Sequence, residues 1–113
     1  PTVLNAAYNH SFYWDGRVSD LKAQVASAVE NPDELASNWT IILERLQKDK
    51  NLKTRFAATY ADGLNPGNIC DAISEFQQSL ISEDSRFDRF LKGDREALSS
   101  EEKEGFELFK KHD

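Results

Sequence analysis

Methionine is absent from this chain of 113 residues, and cysteine occurs once, at Cys70. A translated product begins with Met, so a chain opening on Pro1 reads as a processed or excised piece. A single cysteine excludes an internal disulfide. With only two histidines, His10 and His112, both remote from Cys70 in sequence, a zinc or Fe–S site is excluded as well. No apolar run approaches the roughly 20 residues that span a bilayer. No charged segment followed by an apolar one marks a signal peptide. Basic residues are in the minority, 14 against 20 acidic ones, for a net charge of -6. That balance argues against a nucleic-acid partner, which needs a clustered basic face, and mostly serves solubility. Gly-rich phosphate loops and Ser-His-Asp arrangements are missing too. No run alternates with period two for long enough to make a strand.

What remains is helical punctuation. Ser19 is placed to cap a helix over about 20–30, on which Leu21, Val25 and Val29 recur at helical spacing. It must stop before Pro32, and Pro32-Asp33-Glu34-Leu35 starts a short turn with its acids suited to a helix N-terminus. Asn38 caps a helix carrying Trp39, Ile42, Leu43 and Leu46 and ending near Lys48. Residues 51–61 form a shorter helix with Leu52, Phe56 and Tyr60 on one face, closed by Asp62-Gly63. Asn65-Pro66 opens the clearest helix, about 66–82, with Ile69, Ile73, Phe76, Leu80 and Ile81 as its apolar stripe. Ser85 caps a short helix through Leu91 that Gly93 closes. Ser99 with Glu102 matches a capping box for a last helix carrying Phe106, Leu108 and Phe109. Residues 1–17 read as an irregular, ordered segment packed by Phe12, Tyr13 and Trp14, with Gly16 in a turn that needs positive φ. The fold class is therefore all-α, about six short helices behind an irregular N-terminal segment. No linker or repeat interrupts residues 1–113, so one compact unit is expected.

Read for themselves, the polar residues are ambiguous. Trp14 is a large aromatic in a polar turn and suits a core or hinge position. Asp15 and Arg17 suit a local ion pair that fixes the turn and contributes little when exposed. Glu34 alone reads as a first-turn acid, and Gln24 as a helix-surface amide. Cys70, between Ile69 and Ile73, reads as a small buried apolar residue.

Several segments in order resemble one family. Phe12-Tyr13-Trp14-Asp15-Gly16-Arg17 with Asp20-Leu21 and Glu30-Asn31-Pro32, then Phe76-Gln77-Gln78-Ser79-Leu80-Ile81, then Phe87-Asp88-Arg89-Phe90-Leu91-Lys92-Gly93-Asp94, and last Leu98-Ser99, Glu102, Gly105 and Leu108-Phe109, are similar to the bacterial di-haem cytochrome c peroxidases. The resemblance covers nearly all of the chain. It departs in one respect: that family binds two haems through Cys-x-x-Cys-His motifs, and neither motif occurs here. Residues 1–113 are thus identified with the inter-haem segment.

The resemblance implies a parent enzyme that reduces hydrogen peroxide to water with electrons from a small c-type cytochrome or cupredoxin. It implies two c-type haems, a calcium ion between domains whose side-chain ligand would lie upstream of Pro1, a periplasmic location and a homodimer. It places Trp14 between the haems for electron transfer, Glu34 as the distal acid–base, and Gln24 beside it. It leaves Arg17 either structural or paired with a haem propionate. The family's acid is usually followed by Met, and Leu35, of similar volume, follows here. His10 matches no family ligand position, and His112 suits the dipole at a helix C-terminus. Without Cys-x-x-Cys-His the isolated chain is expected to be inactive. Two other functions fit the scaffold, a related di-haem oxidase of another substrate and a haem-free helical interaction module.

Overall fold

A computed structural model describes residues 2–112. Among the described residues, six α-helices follow a 3-10 turn at Ala6–Tyr8: α1 (Leu21–Glu30), α2 (Trp39–Leu46), α3 (Lys50–Thr59), α4 (Pro66–Ser79), α5 (Arg86–Leu91) and α6 (Ser100–His112). The only sheet-like pairing among the described residues is an isolated antiparallel bridge between Phe12 and Val18. The all-α class holds. Two compact units can be told apart, Pro1–Ile81 and Ser82–Asp113.

Local chemistry explains most helix starts in the first unit. Asn38, Asp49 and Asn65 each accept a hydrogen bond from the backbone N–H three residues on, and Pro66 stands in the first turn of α4. At α1 the cap is Asp20, not Ser19: its carboxylate accepts from Ala23 N at 2.8 Å. The Phe12 amide donates to the Val18 carbonyl at 2.7 Å and keeps the chain extended up to Asp20. Residues 32–35 form turns and no helix, so their acids do not stand in a helix's first turn.

The core of this unit lies where α1 meets α4. Leu21, Val25 and Val29 are buried on α1, as their spacing predicts, against Ile69 and Cys70 of α4. The expected stripe on α4 is only partly inward: Ile69 is 7% exposed, whereas Phe76 is 63% exposed. The buried line runs instead through Ile69, Cys70 and Ser74, the Ser74 hydroxyl donating to the Asp71 carbonyl at 2.9 Å. Burial pushes the Cys70 thiol up, which keeps it protonated and unreactive. Helix α4 ends at Ser79, three residues early, because the Leu80 carbonyl turns to accept the Asn5 amide at 2.8 Å.

In the second unit, Ser85 and Asp88 form a capping box at α5, and Ser99 and Glu102 exchange the same pair of bonds at α6. Phe106 packs edge-on to Phe87 and Phe90, with centroids 5.1 and 6.1 Å apart. Phe109 and Leu108, expected beside Phe106, face outward.

Candidate active site

The segment before α1 is held in an unusual shape. Tyr13 has φ of 65° and Gly16 of 69°, so the chain doubles back around Trp14. Two contacts hold Tyr13 there: its hydroxyl donates to Ser27 Oγ at 3.2 Å, and the Arg17 guanidinium lies 3.6 Å from its ring centroid. Arg17 also pairs with Asp15, whose Oδ2 lies 3.1 Å from its Nη1. Asp15 is partly desolvated, but the bonds from Arg17 outweigh this and hold its carboxyl below the usual range. Arg17 is thus engaged in fixing the turn.

The consequence is the position of Trp14. It does not pack the segment as expected; its ring is 96% exposed. It stands on the wall of a pocket of about 510 Å³, which Phe12, Tyr13, Leu21, Gln24, Glu34 and Gln77 also line. Helix α1 carries half-buried Gln24 into this pocket one turn after Leu21, and the turn beyond α1 brings Glu34. Trp14, Gln24 and Glu34, singled out separately in the sequence, therefore share one cavity. Glu34 is exposed to solvent; no dry environment surrounds it within this unit.

Glu34 is held from below. Asn31 Nδ2 donates to Glu34 Oε1 at 2.7 Å, and the Asn31 carbonyl accepts the Glu34 amide at 3.1 Å. Asn31 and Gln77 both lie in segments that carry the resemblance, but neither is given a site role by the sequence. Gln77 stands on the same wall, and its side-chain Oε1 is buried without a hydrogen-bond partner. A polar residue on an amphipathic helix gives no sign of such burial, so nothing local identifies it.

His10 and His112 do not line the pocket, and among the described residues no three His, Cys, Asp or Glu side chains come together to hold a metal ion. The pocket is mixed in character: Phe12, Tyr13, Trp14 and Leu21 give it a flat apolar wall, and Asn9, Ser11, Gln24, Glu34 and Gln77 line it with polar groups, one of them an orphaned buried acceptor. No helix among the described residues is long and apolar enough to cross a membrane.

The first unit is thus all-α, with a partly aromatic pocket that holds an amide and a carboxylate. The family described as di-haem cytochrome c peroxidase matches residues 1–96, and the chain belongs to that family. It is 45% identical over 97% of its length to the cytochrome c peroxidase Ccp of Escherichia coli (strain K12), and covers 24% of that protein. It is 39% identical to the cytochrome c551 peroxidase of Nitrosomonas europaea over 97% of this chain and 33% of that one. It is also 32% identical to the methylamine utilization protein MauG of Methylorubrum extorquens over 96% of this chain and 31% of that one. The chain therefore spans about a quarter to a third of the length of these relatives.

Proposed function

We propose that this chain is the inter-haem segment of a periplasmic di-haem peroxidase that reduces hydrogen peroxide to water with electrons from a small c-type cytochrome or cupredoxin. The observation that carries the reading is the meeting of Trp14, Gln24 and Glu34 around one pocket in a chain of this family. The relatives named as peroxidases support the substrate and the donor class.

Two c-type haems, bound by parts of the parent outside this chain, supply the iron that takes up peroxide and delivers electrons. This chain's residues would supply the proton handling and the positioning around the pocket. Reduction of peroxide consumes two electrons and two protons, and its O–O bond breaks only if the leaving oxygen gains a proton. With the haem in place, Glu34 would accept a proton from one peroxide oxygen and return it to the other, which would leave as the first water; the oxygen left behind would take up the two electrons and two protons and leave as the second. Gln24 hydrogen-bonds the oxygens and orders water beside them. Trp14, projecting from its turn, would set a flat aromatic ring in the gap between the haems, with its indole N–H free to donate there. Arg17 holds the turn, so its engagement with Asp15 and Tyr13 favours a structural role over a propionate contact. Closing of the pocket by the rest of the parent would provide the dry environment that tunes such a carboxyl for acid–base work. A calcium ion between domains and a homodimeric parent complete the proposal.

Glu34→Gln tests it in the haem-loaded parent. Turnover should fall by about 10²–10⁴-fold with both haems still attached; unchanged turnover rules the role out. The 113-residue chain alone should show no peroxidase activity, and turnover by the haem-free polypeptide would overturn the assignment. Sequencing the gene on either side should find one Cys-x-x-Cys-His motif upstream and one downstream. The relative named MauG supports a second reading, a di-haem oxidase of another substrate; steady-state assay with peroxide and reduced cytochrome c separates the two.

A further inference from the structure

We infer that Asn31 is a positioning residue for Glu34, fixing which carboxylate oxygen faces the pocket; this rests on the proton-transfer role proposed for Glu34. An exposed glutamate on a turn ordinarily samples several rotamers, and a proton relay needs one. Here a single residue supplies both constraints. Asn31 caps the C-terminus of α1 and is tied to it by its amide, which donates to the Ser27 carbonyl at 3.0 Å. Its own carbonyl accepts from Glu34 N at 3.1 Å and Ala36 N at 2.9 Å, which closes the turn. Two more bonds tie that turn to the helix, from Leu35 N to the Ala28 carbonyl and from Ser37 N to the Val29 carbonyl, at 3.2 and 3.0 Å.

The side chain completes the arrangement. Asn31 Oδ1 accepts from Asp33 N at 3.1 Å, which sets the amide so that Nδ2 points at Glu34. Nδ2 then donates to Oε1 at 2.7 Å, a charge-assisted contact at the short end of the N–H···O range. Oε1 is thereby occupied, and Oε2 is left for the proton. Because α1 also carries Gln24, the amide and the carboxylate are referred to the same rigid element.

Asn31→Asp separates the two tasks of Asn31. An aspartate keeps the acceptor for Asp33 N and hence the turn, but it offers Glu34 no N–H and sets a like charge against it, which drives the Glu34 carboxylate out of its present position. In the haem-loaded parent, kcat should fall by up to about a hundredfold, the order expected for a carboxylate displaced by about an ångström. KM for the electron donor and the haem spectra should stay unchanged. A crystal structure of the variant should show the Glu34 carboxylate moved or split between rotamers. In a Glu34→Gln background, Asn31→Asp should add no further loss. Asn31→Ser, able to accept from Asp33 N but too short to reach Glu34, gives the same readings if the aspartate variant does not fold. Full turnover in Glu34→Gln overturns both this inference and the role of Glu34. A slow Glu34→Gln beside an Asn31→Asp with unchanged kcat and an unmoved carboxylate overturns the positioning role alone.

Discussion

Lys22 on α1 and Asp71 on α4 meet at 3.0 Å, and the Tyr60 hydroxyl donates to the other oxygen of the same carboxylate, also at 3.0 Å. One acid thus ties α1 and α4 to the residue that ends α3. The bonds from Lys22 and then Tyr60 hold the Asp71 carboxyl below its ordinary 3.8, while the bond to Asp71 raises Lys22. Desolvation and the bond to Asp71 raise Tyr60, which keeps it a donor. A carboxyl with a depressed folded-state value contributes stability that is fully present above 3.8 and is lost as pH falls through the lower value. Thermal unfolding followed by circular dichroism should therefore show a midpoint that drops on acidification below that range. Asp71→Asn should flatten the drop, though Asp62, Asp88 and Glu102, also held low, keep part of it. An unaltered acid-side slope in Asp71→Asn would remove the network from the account.

The two ends of the α4 stripe should behave oppositely. Ile69→Ala opens the α1–α4 core and should cost about 2–5 kcal/mol in denaturant unfolding. Phe76→Ala, on an exposed side chain, should stay within about 0.5 kcal/mol. Equal losses at the two positions would mean that Phe76 is packed after all.

Trp14 offers a separation of function from stability. With its ring 96% exposed, Trp14→Ala should shift the unfolding free energy of the chain by no more than about 0.5 kcal/mol. In the haem-loaded parent it should slow electron delivery, and Trp14→Phe should slow it less. A destabilised chain with normal turnover would return Trp14 to a packing role.

Gly16 should resist replacement. At φ of +69° an added Cβ is strained, and it would also meet Ser11 Oγ at 3.3 Å. Gly16→Ala should cost about 1–2 kcal/mol from backbone conformation. Ser11→Gly, which removes the neighbour but leaves φ unchanged, should not restore the loss. Full rescue would assign the cost to the contact.

In the second unit Arg86 donates Nε to the Ala97 carbonyl at 3.0 Å and both Nη groups to Glu102, the Nη1 bond at 2.9 Å. A lysine cannot reproduce that fork. Arg86→Lys should speed hydrogen exchange at the amides of Glu101, Glu102 and Lys103 while leaving the α5 amides slow. Unchanged exchange there would show that the Ser99–Glu102 box suffices to start α6.

The sequence by itself determined the helices and most of their ends. The caps at Asn38, Asn65-Pro66, Ser85 and Ser99–Glu102 are bonds across three residues, so residue type and spacing specify them. The motifs that carry the family resemblance are equally local, and they pointed to Trp14, Gln24 and Glu34 one at a time. Tertiary structure alone decided what depends on distant partners. It chose Asp20 over Ser19 because the Phe12–Val18 pairing holds the backbone extended up to that point. It ended α4 at Ser79 because Asn5 claims the Leu80 carbonyl, and it left Phe76 and Trp14 outside. It also brought Glu34, Gln24 and Trp14 to one pocket and set Asn31 beneath the carboxylate. Those outcomes follow from how α1, α4 and the N-terminal turn pack, and no periodicity along a single segment encodes a contact between segments.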